Sequence, residues 1–332
     1  MVEFAQNMEV QEIRDWASKV NRNVALSDTE KNISKQVDAW AKKIGENGAD
    51  SNREISAFII KTMDNDVYDK PDALLDLMFD RDSIGEFDDY RINKTPKNTL
   101  VAYEAAKGGN VNRSYIDTSY DTPVWKHLQV ETDIKYSDLR RNGFRTIANL
   151  TMFAEEALLN KKIKAVFDIL DGAITGGDQV IAVTGSEANL TIADMDKLAL
   201  YTIDHVANGD TPLAFGLNKY AQKIAKMAGY DSYMSDSMKD DYNRYGLVKL
   251  YGGMLISGFS GARKAADGEL LVPDKRIFGI AGKIGNICDR GELRVYETMD
   301  NNAEKIDLKF TGYEFGVKVT DASKVAKITF TA

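Results

Sequence analysis

The 332-residue chain is poor in cysteine and histidine, with one and two residues respectively. Cys288 therefore has no partner within the chain for a disulfide. Without a second cysteine it cannot form a cysteine-based zinc site, and we expect it to be a small buried residue. His127 and His205 share no ligand spacing, whereas a zinc site needs three or four converging ligands. The sequence therefore predicts no metal site.

Long apolar runs and basic charge are also lacking. No stretch approaches 18 consecutive apolar residues, so we expect no transmembrane helix. Residues 1–10 have neither a basic start nor an apolar run, so we expect no secretion signal. Residues 1–93 carry 20 acidic and 12 basic side chains, whereas residues 94–332 carry 31 of each. This balance excludes a strongly basic DNA-binding face at the level of net charge, and the acidic segment would repel DNA.

Catalytic motifs are absent as well. The glycine-rich stretch 252–261 has neither a GxGxxG nor a GxxxxGK[ST] spacing, so its glycines are expected to bend the chain and not to cradle a phosphate. Ser186 does not lie in a G-x-S-x-G motif. Adjacent acids such as Glu155 and Glu156 would point apart on a helix. We therefore predict no catalytic, cofactor-binding or metal-binding residue.

The strongest positive signal is one long amphipathic helix from about Phe144 to Ala173. Apolar residues recur there at spacings of three and four, Phe153 among them. Asn142 or Gly143 would begin the helix, and Gly172 lies where a left-handed C-terminal residue is expected. A helix of 30 residues is roughly 45 Å long. This length indicates the central helix of an elongated subunit.

Residues 1–85 are predicted to form a string of short helices. Trp16 and Trp40 fall on the apolar faces of the first two, where packing is a more common role than ligand binding. A third helix would carry Phe58, and a fourth would run from Ala73 to Phe79. Short helices need a surface to lie against. A neighbouring subunit is one candidate for that surface.

Between residues 86 and 137 the helical period disappears. Residues 99–104 and 111–116 have strand character, and a turn signal at 107–110 separates them. Residues 125–136 alternate strictly, as expected of a half-exposed strand. About fifty residues with so little apolar content cannot build a core of their own, so we interpret them as an extended arm.

The remaining sequence predicts a sheet covered by helices, followed by an antiparallel sheet. Strands are expected at 179–183, 211–217, 247–259 and 276–288, with helices beginning at Asn189 or Thr191 and at Asn218. Residues 230–245 lack a period and are predicted to form a surface loop. From Leu293 onward the alternation indicates antiparallel strands with one covered face, which we expect the long helix to cover. The fold class is therefore α+β.

In this order of parts the chain resembles the major capsid proteins of tailed bacteriophages, which have the Hong Kong 97 fold. The run from Tyr120 to Gly172, an alternating strand that leads directly into a long helix, carries the local likeness. The resemblance implies an N-terminal helical arm (1–85) and an extended loop (86–143). It further implies a peripheral domain (144–175 with 290–322) and an axial domain (176–289 with 325–332).

The resemblance also implies the function. The chain would assemble into hexamers and pentamers of an icosahedral virion head around double-stranded DNA, in the host cytoplasm. A separate scaffold, a portal and decoration proteins would be further partners, with no sequence-specific DNA contacts and no membrane. The implied subunit-contact residues are Lys107, Gly108, Gly109, Asn110, Arg113, Trp125, Tyr233, Tyr242, Trp16 and Trp40. Two alternatives are a protein nanocompartment shell of the same fold and a cytosolic α/β enzyme or ligand-binding protein using residues 252–261.

Overall fold

A computed structural model describes residues 10–43, 58, 73–93, 104, 119–206, 210–262, 264, 268–291, 294–300 and 302–331. Its helices are α1 (Val10–Asn21), α2 (Asp28–Lys42), α3 (Ala73–Met78), α4 (Tyr136–Ala173), α5 (Ile192–Asp204), α6 (Asn218–Ile224) and α7 (Asp236–Tyr245). Its strands are β1 (Phe79–Ile84), β2 (Ile92–Asn93), β3 (Tyr120–Asp121), β4 (Val124–Lys135), β5 (Val180–Thr184), β6 (Pro212–Leu217), β7 (Leu250–Tyr251), β8 (Met254–Phe259), β9 (Arg276–Ala281), β10 (Gly285–Arg290), β11 (Arg294–Asp300), β12 (Lys305–Val319) and β13 (Val325–Thr331).

The predicted long helix is present as α4, which begins earlier than expected. The chain turns directly from β4 into the helix at Tyr136, and a kink at Gly143 (φ 12°, ψ −98°) separates a short first segment from the long second one. The expectation of a left-handed Gly172 is wrong. Helix α4 continues through it, and the backbone becomes extended at Ile174. The chain instead reverses at Gly176 and Gly177, both of which have positive φ.

Strand β12 organises a five-stranded sheet. One edge of β12 pairs with β4 along nearly its whole length, with a register irregularity between Phe310 and Tyr313. The other edge is shared, because β11 pairs with residues 305–311 and β10 with residues 314–319. Strand β1 adds to β10 in parallel. The predicted antiparallel pairing is thus confirmed for β11 and β12, which β4 joins. Residues 306–310 and 315–319 form one continuous strand and not two, and the predicted last strand, β13, belongs to the second sheet.

The second sheet has six strands in the order β5–β13–β9–β6–β8–β7. Helix α5 packs on one face of this sheet. The two approach so closely that a Cβ added at Gly279 would lie 2.8 Å from Leu198 Cδ1. Helix α6 lies on that same face, where Tyr220 stacks on Phe330 at 5.0 Å between ring centroids. The C-terminal half of α4 covers the opposite face, with Phe167 packed 5.4 Å from Phe215. The predicted sheet with covering helices is confirmed.

Four predicted elements are wrong in detail. Residues 247–259 form two antiparallel strands, β7 and β8, with a turn at Gly252 and Gly253. Residues 79–84 form a strand and not the end of a helical arm, because they pair with β10. Residues 276–288 form two strands in different sheets, separated by a reversal at Gly282 (φ 85°). Residues 236–245 form α7 and not a loop. Ser235 caps its first turn and left-handed Gly246 ends it, so local capping supports a helix whose apolar face is small and includes Met238 and Tyr242.

The N-terminal helices pack on their own chain. Helices α1 and α2 share a buried cluster with the first half of α4 and with β12, which contributes Ile306, Leu308 and Phe310. A capping box between Ser27 and Glu30 fixes the start of α2. The surface that these short helices require is therefore supplied within the subunit and does not require a neighbour.

Helix α4 is attached to the five-stranded sheet by a buried polar cluster. Lys162 Nζ donates to Asp289 Oδ1 and to the Tyr313 hydroxyl, both at 2.7 Å, and the same hydroxyl donates to Asp289 Oδ1 at 2.5 Å. Only 3% of the Lys162 side chain is exposed. Because one oxygen accepts from both donors, removing the ammonium would leave a carboxylate largely buried without its counter-charge.

We predict that Lys162→Met lowers the free energy of unfolding by about 3 kcal/mol, because Asp289 loses its buried cation. The double variant Lys162→Met/Asp289→Leu should recover most of that loss. The control is Lys161→Met, at an exposed position on the same helix. The free energy of unfolding of the three variants is measured by urea titration monitored by circular dichroism. Equal losses for Lys161→Met and Lys162→Met would contradict the role given to this cluster.

A second prediction concerns Gly143, where α2 crosses α4. A Cβ there would overlap Asp38 Oδ1, which accepts a hydrogen bond from the Phe144 backbone N–H at 3.2 Å. We expect Gly143→Ala to accelerate amide exchange in α1 and α2 and to leave β12 protected. Gly172→Ala is the matched control, because it adds a Cβ to open space in the same helix. Gly172→Ala should leave the free energy of unfolding unchanged or raise it slightly.

Candidate subunit-contact surfaces

The predicted tip of the extended arm lies outside the described residues. Lys107, Gly108, Gly109, Asn110 and Arg113 therefore remain predictions. The base of this segment is described, because β2 pairs with β3 through Ile92 with Asp121 and Asn93 with Tyr120. The two chain segments that flank residues 94–119 therefore lie side by side.

The two N-terminal tryptophans have different environments. Trp16 is fully buried, and its indole N–H donates to Ser34 Oγ at 2.9 Å. Its ring meets Phe58 edge-on at 5.5 Å, so in this arrangement it has no surface to offer another subunit. Trp40 is half-buried and lies 6.1 Å from the same phenylalanine. Trp40 is consequently the better candidate of the two for an intersubunit contact.

Trp125 lies half-buried on β4, beneath an arginine. The guanidinium carbon of Arg290 lies 4.1 Å from the centre of its ring, within the range of a cation–π contact. The same guanidinium is ion-paired with Glu314, with a 2.9 Å hydrogen bond from its Nε. Because this stack holds the indole in place, Trp125 presents a fixed aromatic edge at the surface of the five-stranded sheet.

The two tyrosines that the resemblance implied as subunit contacts flank or lie on α7. Tyr233, just before the helix, is 74% exposed. Tyr242 is half-buried and packs against the main core, so it supports the helix. Tyr245, which was not predicted, is exposed and has Lys249 Nζ 4.0 Å from its ring centre. Tyr233 and Tyr245 are therefore both exposed near α7.

Several exposed apolar residues were not predicted as contacts. Phe153 was assigned to the buried stripe of α4, but 61% of it is exposed. Pattern alone could not identify this, because a helix packed on both a sheet and other helices does not bury a single constant stripe. Phe87, Val124 and Leu200 are also exposed. Apolar residues at a surface are candidates for contact with other molecules only where they form patches.

A groove of about 500 Å³ runs between β5 and α5. On the strand side it is lined by Gly177, Asp178, Val180, Ile181 and Ala182. On the helix side it is lined by Asp194, Lys197, Leu200, Tyr201 and Asp204. A second cavity, of about 480 Å³, separates β4 from α4. At this cavity Lys164 Nζ lies 2.9 Å from Asp168 Oδ2 and 2.9 Å from Glu269 Oε2. Hydrogen bonds to these two carboxylates raise the pKa of the Lys164 ammonium.

The histidines have local partners. His127 Nε2 lies 2.9 Å from Thr311 Oγ1, and His127 Nδ1 lies 3.6 Å from Glu314 Oε1. His205 stacks on Tyr201 at 4.2 Å between ring centroids. Among the described residues, no three His, Cys, Asp or Glu side chains converge as metal ligands would. None of the described helices has the length and apolar character needed to cross a membrane.

A protein-family model described as "SPbeta prophage-derived putative capsid protein YonB" matches residues 10–329. The chain belongs to this capsid-protein family. Because the match spans nearly the whole sequence, it includes both sheets, α4 and the N-terminal helices. A search of curated proteins finds no match.

Solved structures identify the fold of this YonB-family chain. A chain from a solved structure of Gordonia phage Cozz aligns with a TM-score of 0.52 at 14% identity, covering 76% of this chain and 85% of its own. A chain of the mature capsid of bacteriophage PhiM1 aligns with a TM-score of 0.51 at 12% identity, covering 76% of this chain and 85% of its own. A chain from Microbacterium phage Oxtober96 aligns with a TM-score of 0.51 at 13% identity, covering 76% of this chain and 89% of its own. The Hong Kong 97-like capsid fold expected from the sequence is confirmed.

The single cysteine, Cys288, lies in a buried environment. It is fully buried on β10, and that burial raises the pKa of its thiol to about 12. The reactive thiolate is therefore almost absent at pH 8. We expect the folded protein to resist Ellman's reagent at pH 8 and the protein in guanidinium to release one equivalent of thionitrobenzoate. Stoichiometric reaction of the folded subunit would contradict this environment.

Proposed function

We propose that this chain is the major capsid protein of a phage head, building the icosahedral shell from hexamers and pentamers of itself. The observation that carries the proposal is membership of a capsid-protein family over residues 10–329. The fold supports it, because the chain aligns over 76% of its length with a protein of the mature capsid of bacteriophage PhiM1. The role is structural and non-enzymatic.

Within this proposal the two sheets take separate roles. The five-stranded sheet with the first part of α4 forms the peripheral domain, to which β1 and β4 contribute strands. The six-stranded sheet with α5, α6 and α7 forms the axial domain, and β13 belongs to it. Residues 94–119 form the outer part of the extended loop. Tyr233 and Tyr245 then face the centre of the capsomer.

The partners follow from the shell. Many copies of the chain are the principal partner, and each contact can be weak because many act together. Packaged double-stranded DNA would touch the inner wall without sequence-specific contacts. A separate scaffold, a portal and decoration proteins complete the proposed set, with assembly in the host cytoplasm and the virion as the final location.

The first test is particle size. The purified chain, expressed alone or with a neighbouring scaffold gene product, should give capsomers or megadalton shells by light scattering and negative-stain microscopy. A stable monomer or small oligomer under both conditions would contradict the proposed function.

A point variant tests the capsomer contact. Tyr233→Ser removes a 74% exposed ring that contributes nothing to the core, so thermal unfolding should be unchanged. Capsomer affinity should fall on the order of tenfold, which corresponds to roughly 1.4 kcal/mol for one aromatic contact. Tyr296→Ser, which removes an exposed tyrosine on β11, is the control and should assemble normally. Equal behaviour of the two variants would place Tyr233 outside the interface.

A further inference from the structure

The six-stranded sheet ends in two strand edges, β5 on one side and β7 on the other. Among the described strands, β5 pairs only with β13, and β7 pairs only with β8. Five strand spacings of about 4.8 Å separate the two edges, so within one subunit they lie roughly 24 Å apart. An unpaired edge presents backbone groups that can pair with a strand of another chain.

Ala182 and Leu250 direct their backbone groups outward from these two edges. The Gly185 N–H donates to a β13 carbonyl at 2.6 Å, and the Lys249 carbonyl accepts from a β8 N–H at 2.8 Å. Successive residues of a strand direct their backbone groups to alternate sides. The N–H and C=O of Ala182 therefore point away from β13, and those of Leu250 point away from β8.

At the β5 edge, small apolar side chains lie on the face of the sheet that α4 covers. Lys327 pairs with Val180, and its ammonium donates to Asp171 of α4 at 2.7 Å. Val180 and Ala182, two residues apart on one strand, consequently both lie on the α4 face. Ala182 is exposed and Val180 is half-buried.

At the β7 edge, two leucines lie on the same face. Leu250 pairs with Leu255 of β8, which pairs in turn with Leu213 of β6. Two residues further along β6, Phe215 packs against α4. Leu250 is 49% exposed and Leu255 is 40% exposed. If β7 of one copy lay beside β5 of another, apolar side chains of both copies would meet on the α4 face.

The opposite face carries complementary charge at the two edges. The groove between β5 and α5 is lined by three carboxylates and one ammonium group. Tyr251 of β7 donates to Asp196 of α5 at 2.8 Å, so Lys249, two residues earlier, also lies on the α5 face. Lys249 is exposed there. Its ammonium would be attracted to the acidic groove, and Leu200, 64% exposed in that groove, would contact its methylene stem.

The strand directions are also compatible. The path from β5 to β7 crosses three antiparallel and two parallel pairings, so the two edge strands run in opposite directions within one subunit. Two copies placed side by side with the same face outward would therefore bring β5 and β7 together as an antiparallel pair. Because the two edges differ, such a contact is head-to-tail and closes into a ring when the rotation between copies allows it.

We propose that β7 of one copy adds to the β5 edge of the next copy, with Leu250 opposite Ala182 and Lys249 in the groove beside α5. This inference rests on the proposed shell function, since it describes a contact between neighbours within one hexamer or pentamer. It assigns that contact to the two edges of the six-stranded sheet. The sheets of a capsomer then form one continuous ring.

Disulfide trapping in assembled capsomers tests this contact. The double variant Ala182→Cys/Leu250→Cys carries both cysteines in one chain. Directly opposed residues of a hydrogen-bonded antiparallel pair have Cα atoms about 5.5 Å apart, which suits a disulfide. The two positions of one subunit lie on opposite edges and are too far apart to join, so every disulfide between them links two subunits. Cys288 is buried and does not interfere.

After oxidation, we expect denaturing, non-reducing gels of the double variant to show a ladder of covalent oligomers that ends at pentamers and hexamers. The matched control is Ala182→Cys/Tyr296→Cys, in which the second cysteine replaces an exposed tyrosine of the other sheet. This control should give no ladder. Either single variant can give dimers at most.

Three results would overturn the edge pairing. They are a ladder of equal yield in the control, no ladder in capsomers that microscopy shows to be intact, and dimers from Ala182→Cys alone, which would mean that two β5 edges meet. All three leave the shell function standing. Failure of the wild-type chain to form capsomers or particles would overturn the shell function itself.

A charge exchange in the double-cysteine chain tests the position of Lys249. Lys249→Glu should lower the yield of the ladder roughly fivefold or more, because a carboxylate would then face the acidic groove. Adding Asp204→Lys should restore the yield. Asp204 is chosen because Asp194 serves the capping box of α5. An unchanged yield with Lys249→Glu would overturn the placement of Lys249 in the groove.

Discussion

The fold depends on one constraint, that α4 must bury apolar surface against both sheets along its length. Its first half packs on β12 and on the N-terminal helices, and its second half packs on the six-stranded sheet through residues such as Phe167. The burial of each side chain of this size stabilises the fold by about 1.5–3 kcal/mol. Because a single rigid helix belongs to both cores, neither sheet can shift without disturbing the other.

Lys162 lies one turn beyond Leu158, the first residue of this helix that belongs to the second core. A lysine is rarely so fully buried unless it is paired. Its hydrogen bonds to Asp289 and Tyr313 permit only a narrow range of helix positions, since a displacement would separate buried charges. The polar cluster thus sets the register of the helix on the sheet, while the surrounding apolar contacts supply most of the stability.

Sequence patterns predicted the elements with strong periodicity and missed those set by distant partners. The period of three and four identified α4, and alternation identified β4 and the strands near the C-terminal end. Phe79–Ile84 carries no strand alternation, and it is a strand because β10 lies beside it. The kink at Gly143 depends on Asp38, a residue far away in the chain. Among the contact candidates, composition could not separate buried Trp16 from exposed Tyr233, because exposure depends on tertiary packing.

The strand pairings of this subunit join residues that are far apart in the chain, and this has a kinetic consequence. Phe79 pairs with Gly285, Val124 with Val317, and Val180 with Lys327. Closing such long loops costs entropy before the contacts form, so chains of this topology fold slowly and expose strand edges while they do so. For a protein required in many copies per particle, we expect the maturation of each monomer to limit the supply of building blocks more than their association does.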